Sequence, residues 1–214
     1  MGINVYIFDF DGTLADSKEC SVTSTQKAFG EMGLTIPSEN QIENYMGIPI
    51  EISFKRMCKE QLTQNEFEQL LSLFRKIYRE YENDLISVFS HVDDVLREIK
   101  NNKKFLFVVS SKNSIVLKRN LQTLGIYELF DGVMGADHVD HYKPHPDGIN
   151  RILKGNNFNR YESMMIGDST YDIQMAKAAK VLSCGVTWGA HSESELKKEN
   201  PEYLIHNIKE LLNI

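Results

Sequence analysis

The sequence predicts an α/β fold: a doubly wound parallel sheet core with a block of helices inserted after its first strand. Three observations point to it. The apolar run Val5-Tyr6-Ile7-Phe8 stops abruptly at Asp9-Phe10-Asp11-Gly12-Thr13, as a buried strand entering a turn does. From residue 15 to 85 apolar residues recur at helical spacing, and no convincing strand breaks the pattern. From about 86 onward helical and strand patterns alternate, which favours a parallel sheet. The core is therefore assigned to 1–14 and 86–214, and the helical insertion to 15–85.

Within the insertion Val22, Thr25, Ala28, Phe29 and Met32 trace the first helix, and Gly33 ends it. Ser38 is placed to cap a short helix reaching Tyr45. Beyond Gly47-Ile48-Pro49, Ile50, Phe54, Met57 and Cys58 fall at i, i+4, i+7 and i+8, and Phe67, Leu70, Leu71, Phe74, Ile77, Tyr78 and Tyr81 form a longer stripe. Core packing accounts for these aromatic residues without a pocket. The returning core reads as a helix over 92–99, a strand over 105–109, a helix over 114–124 closed by Gly125, and a short strand near 133–134. A helix over 146–153 follows, with proline at its start and Gly155 past its end. Then come a strand over 164–166, a helix over 170–179, a strand over 181–186 and a last strand–helix pair near 203–212.

Composition narrows the class. With 214 residues, 42% hydrophobic and 25% charged, and only 13 Gly and 5 Pro, the chain is neither fibrous nor disordered, and one domain or a core with an insertion is expected. A net charge of −6 without a basic stripe argues against nucleic acid or an acidic membrane as partner. Cys20, Cys58 and Cys184 form no CxxC pair, so a disulfide framework or zinc knuckle is not expected and a reducing cytoplasm is. The N-terminal run lacks a basic segment, and no stretch approaches the roughly 18 apolar residues of a membrane span. Monomer and homodimer both remain open.

In doubly wound sheets ligands bind beyond the carboxyl ends of the strands. There the sequence places Asp9 and Asp11, then Ser110-Ser111-Lys112, then Lys143 before a helix, then Asp168 and Asp172. Acids, a lysine and a hydroxyl at one edge suit a hard divalent cation and a phosphoryl group. Asp9 and Asp11, two apart, would share a face in a regular strand, and two close carboxylates can differ in protonation. Solvated turn acids are the plain alternative for such a pair.

The string Asp9-Phe10-Asp11-Gly12-Thr13-Leu14-Ala15-Asp16 resembles the first motif of the haloacid dehalogenase superfamily. Ser110, Lys143 and Gly167-Asp168 through Asp172 follow in that family's order. The nearest pattern is the capped, phosphoglycolate phosphatase-like and β-phosphoglucomutase-like branch. This resemblance implies a Rossmann-like core with 15–85 as a cap, and a hydrolase acting on a small phosphorylated metabolite, phosphoglycolate-like, sugar phosphate, nucleotide or pyrophosphate. It implies Asp9 as nucleophile and Asp11 as acid and base, since dehalogenases and phosphonoacetaldehyde hydrolases lack the second aspartate. Mg²⁺ would be held by Asp9, the Asp11 carbonyl and Asp168, with Asp172 behind them. Ser110 or Ser111 and Lys143 would bind phosphoryl oxygens, Gly12 would bring backbone amides to the phosphate, and Thr13 would orient Asp11. His141 and His145 suit magnesium poorly, because it prefers oxygen ligands.

In the insertion Gly47 and Pro49 are the candidates for a loop facing the site, with Lys55 and Arg56 as anion contacts or merely a solvated helix face. Trp188-Gly189-Ala190-His191 resembles a core loop near the site, and a packed Trp rim explains it equally well. A phosphosugar mutase of the same fold is the first alternative, weakened because Ile48-Pro49-Ile50 stands where that family usually carries an arginine. A non-enzymatic phospho-aspartate switch is the second.

Overall fold

The computed structural model describes residues 2–214. The chain opens with β1 (Val5–Phe8) and β2 (Ala15–Asp16), then the helices α1 (Lys18–Glu31), α2 (Glu39–Asn44), α3 (Ile50–Met57) and α4 (Gln64–Leu85). It returns through β3 (Ser87–Val88), α5 (Val92–Asn101), β4 (Phe105–Val109), α6 (Ser114–Thr123) and β5 (Gly132–Met134). It closes with α7 (Asp147–Asn156), β6 (Ser163–Gly167), α8 (Thr170–Ala179), β7 (Leu182–Val186), α9 (Glu193–Lys198) and β8 (Tyr203–Ile205).

Six strands form one sheet in the order β5-β4-β1-β6-β7-β8, every neighbouring pair parallel. The predicted parallel α/β class stands. Strand β1 is buried along its whole length, which is why its sequence is unbroken rather than alternating. Its side chains divide by the strand's period of two. Tyr6 and Phe8 join Leu106, Val108, Met164 and Ile166 in one core cluster, while Val5 and Ile7 join Phe107, Val109 and Met165 under α7 and α8 in the other.

The first cluster runs on without interruption into the helical block. Phe54 lies edge-on to Phe29 at 5.3 Å and to Phe74 at 5.0 Å, so the aromatic stripe does pack a core. Two of its helices begin with reciprocal caps, Ser38 with Gln41 and Thr63 with Glu66.

From β1 the chain moves to β4 and β5 on one side, then crosses to β6, β7 and β8 on the other. The reversal leaves a crevice at the carboxyl ends of β1, β4 and β6.

Several sequence expectations need correction. Strand β2 falls inside the stretch read as helix alone and pairs antiparallel with β3; two-residue strands are too short to leave a periodicity. Gly155 lies inside α7, which ends where Asn157 turns left-handed at φ 55°. Helix α9, capped by Ser192 and Glu195, was not anticipated, and the last helix is a 3-10 helix over Ile208–Asn213. No helix among the described residues is long and apolar enough to cross a membrane.

Candidate active site

Asp9 leaves the end of β1, Asp168 the end of β6, Asp172 sits in the first turn of α8, and Lys143 comes from the loop before α7. All four are buried. The Lys143 ammonium lies 2.8 Å from Asp9 Oδ1 and 2.7 Å from Asp172 Oδ1. Asp168 accepts hydrogen bonds from the Thr13 hydroxyl at 3.2 Å and the Ala190 N–H at 2.7 Å. Asp172 accepts from the Ser169 N–H at 3.1 Å and hydroxyl at 2.6 Å. One oxygen from each of Asp9, Asp168 and Asp172 falls within 4.8 Å of the others.

Two of the three carboxylates thus share one ammonium. Burial pushes the Asp9 carboxyl well above the ordinary carboxylate range; Lys143 opposes this, and the charges of Asp172 and Asp168 add to it. Burial and the Asp172 charge push Asp168 up to about 7. Burial works against the Lys143 charge, but Asp172 and Asp9 outweigh it and hold the ammonium protonated.

Gly12 has a steric reason for its identity. It sits at φ +77°, and a Cβ there would lie 2.1 Å from Asp168 Oδ2. Gly189 closes on the same carboxylate, its Cβ position being 2.3 Å from that oxygen.

The Asp11 carboxylate has separate partners. Its Oδ1 accepts from the Ser17 hydroxyl at 2.6 Å and from Lys112 Nζ at 2.8 Å. Because β1 stops at Phe8, strand alternation does not govern the pair, and each aspartate takes its own lysine. Thr13, expected to orient Asp11, bonds Asp168 instead.

Lys112, which follows Ser110 and Ser111 after β4, has a place in the site that no local sequence pattern marks. Its ammonium also meets the Tyr78 hydroxyl at 2.6 Å and Asn120 Oδ1 at 3.2 Å. Burial pushes the Tyr78 phenol well above its ordinary range. Beside them the buried Glu82 of α4 accepts from Arg119 at 2.5 and 2.9 Å and from Asn120 at 2.9 Å, tying the helical block to α6. Ser110 is buried and its hydroxyl accepts from the Lys112 N–H at 3.1 Å. The Ser111 hydroxyl donates to the Gly47 carbonyl at 2.7 Å.

A cavity of about 440 Å³ opens above the acids, lined on one side by Asp9, Asp11, Ser110, Ser111 and Lys112 and on the other by the helical block, Gly47 and Pro49 included. Phe74 and Tyr78 line it as well as packing the core, so the reading that gave them core packing alone was incomplete. Arg56 does not line it: the side chain is exposed, 5.9 Å from the Tyr45 ring, and Lys55 lies over Phe67 at 5.2 Å. Arg75 and Arg119 reach the wall instead. His141 and His145 are exposed and stack on each other at 4.4 Å. The Trp188 indole donates to the Thr13 carbonyl at 3.1 Å, bracing the first turn.

The family model for haloacid dehalogenase-like hydrolases matches residues 6–186. The chain belongs to that family. Pyrophosphatase PpaX of Oceanobacillus iheyensis is 29% identical over 215 residues, covering 100% of this chain and 97% of that protein. Pyrophosphatase PpaX of Clostridium perfringens is 29% identical over 212 residues, covering 99% and 97%. Among solved structures, a haloacid dehalogenase-like hydrolase from Bacteroides fragilis superposes with a TM-score of 0.90 at 27% identity, covering 98% of this chain and 99% of that one. A predicted phosphoglycolate phosphatase from Haemophilus somnus shares the fold, with a TM-score of 0.93 at 24% identity over 99% and 97% of the two chains. The expectation of a hydrolase of this family is borne out, with phosphatases by name as its relatives.

Proposed function

We propose that the chain is a Mg²⁺-dependent phosphatase that hydrolyses a small phosphorylated metabolite through an aspartyl-phosphate on Asp9, with residues 15–85 as a cap over the core. The observation that carries this reading is the division of labour between the two aspartates: Asp9 buried against Lys143, and Asp11 half-buried against Lys112, both facing one cavity.

Asp9 attacks phosphorus in line, and the bond to the leaving oxygen breaks as the aspartyl-phosphate forms. Asp11 gives that oxygen a proton, then takes one from the water that hydrolyses the intermediate. Lys143 offsets repulsion between the anionic nucleophile and the phosphoryl group, with Ser110 as a further contact to its oxygens. The donor set fits Mg²⁺: buried, hard carboxylate oxygens on Asp9, Asp168 and Asp172 outnumber the one ammonium among them. Asp9, Asp168 and the Asp11 carbonyl would hold the ion, with Asp172 fixed behind them. Bound there, the ion would neutralise charge on the nucleophile and the transferring phosphoryl oxygens.

Phosphate release from a panel of phosphorylated metabolites, with Mg²⁺ or EDTA, tests the reading. Release should need the metal and fall by about 10³-fold or more in Asp9→Asn. Undiminished turnover by Asp9→Asn, or sugar-phosphate interconversion without free phosphate, would overturn it.

A further inference from the structure

Asp9 and Asp11 line the cavity from the core, and the end formed by the helical block is chemically different. Tyr45, Met46, Ile48, Pro49, Phe54 and Phe74, all from the helical block, form the apolar part of its wall, with Ser21, Thr25, Glu51, Ser53 and Arg75 among them. We propose that this end receives an apolar, ring-sized alcohol, so that the substrate is a phosphate monoester with an apolar or aromatic body. This rests on the phosphatase reading above and names the substrate class for the same site.

A short anionic leaving group, such as the second phosphoryl of pyrophosphate or the carboxylate of phosphoglycolate, needs an unmatched cation. The wall offers none that lacks an acid. Lys112 faces Asp11 at 2.8 Å, Arg75 faces Glu51 at 2.7 Å, and Arg119 is bonded by Glu82 at 2.5 and 2.9 Å. Acids lining the cavity number four, Asp9, Asp11, Glu51 and Asp137, against three bases. An anion entering the far end would lose water beside apolar side chains and would have to draw Arg75 away from Glu51 or Arg119 away from the buried Glu82.

A sugar is served little better. The Ser53 hydroxyl donates to the Ile50 carbonyl at 3.3 Å and the Ser111 hydroxyl to the Gly47 carbonyl at 2.7 Å. Glu51 is paired with Arg75 and Asp137 accepts from Ser114, which leaves the hydroxyls of Ser21, Thr25, Tyr45 and Tyr142 for polar atoms of the body. The volume agrees. Ligand pockets span about 300–1,000 Å³, and a glycolate in 440 Å³ would leave most of the apolar wall facing water. An aromatic body removes that wall from water and gains from the area buried.

The test compares 2-phenylethyl phosphate with ethyl phosphate, whose alcohols are of nearly equal acidity, so that their ratio of kcat/KM reads the ring and not the leaving group. Pyrophosphate and 2-phosphoglycolate complete the set, all with Mg²⁺. The phenylethyl ester should exceed each of the others by tenfold or more. In Ile48→Lys, which adds an unmatched cation to the wall, the ratio of phenylethyl phosphate to pyrophosphate should fall by at least tenfold. Faster turnover of pyrophosphate or phosphoglycolate by the parent protein, or a ratio that Ile48→Lys leaves unmoved, overturns the substrate class and leaves the phosphatase reading standing. Phosphate release from none of these substrates and none of the metabolite panel overturns both.

Discussion

Replacing Lys143 by methionine keeps most of the side chain's length and removes only its charge, which stands 2.8 Å from Asp9 and 2.7 Å from Asp172. Breaking a buried ion pair from one side costs about 3–5 kcal/mol. Two carboxylates depend on this ammonium, so Lys143→Met should lose about 5 kcal/mol at pH 8 in EDTA. The loss should shrink in acid. A carboxyl whose pKa is raised on folding weakens the native state as pH climbs from its unfolded pKa to its folded one. For Asp168 that window runs from 3.8 to about 7, and Asp9 is raised in the same direction. Below the window the Asp168 carboxyl is neutral and needs no counter-charge; above it the carboxyl is an anion, and without Lys143 the window widens upward. Urea unfolding of parent and variant at pH 5 and pH 8 measures this, with Mg²⁺ expected to restore part of the loss at pH 8. Equal losses at the two pH values, or a loss under about 1 kcal/mol at pH 8, would refute the electrostatic account of the site.

Gly12→Ala forces a Cβ to within 2.1 Å of Asp168 Oδ2 at φ +77° and should displace that carboxylate. Phosphate release should drop about a hundredfold, and Mg²⁺ should bind more weakly by calorimetry, with the circular dichroism unchanged. Tyr78→Phe removes the hydroxyl 2.6 Å from Lys112 and should lower kcat about three- to tenfold with KM little changed. A change in KM alone would deny Tyr78 that positioning role. Burial pushes the Cys20 and Cys184 thiols up to about 12, so a disulfide reagent at pH 8 should label the native protein at Cys58 only. Mass spectrometry of the digest gives the answer.

What could be read in the sequence was what the chain writes locally. Asp9 and Asp11 are legible because a wholly buried strand spells itself as a solid apolar run and its end is therefore sharp. Asp168 and Asp172 follow the same logic after β6, and Lys143 stands out just before two prolines and a helix start. The partners of those residues were not legible. Lys112 draws its meaning from Tyr78, Asn120 and Asp11, which the fold alone brings together, and a lysine beside two serines looks like any loop lysine. Arg56 illustrates the reverse error. A basic residue on an amphipathic helix has the same spacing whether it faces a pocket or solvent, and only the packing of Phe54 and Met57 against the core turns it outward. Thr13 changes partner because the turn after Phe8 abandons strand geometry.

The short ribbon of β2 and β3 has a consequence for how such a protein can be rebuilt. Ala15 lies opposite Val88 and Asp16 opposite Ser87, and the Phe89 N–H donates to the Leu14 carbonyl at 3.1 Å. The chain therefore leaves and re-enters the sheet through two doors side by side, about 5 Å apart. A two-residue hairpin turn spans such a gap. On the cap reading proposed above, residues 17–86 form a cassette, and a tight turn in their place would leave the acids open to bulk solvent.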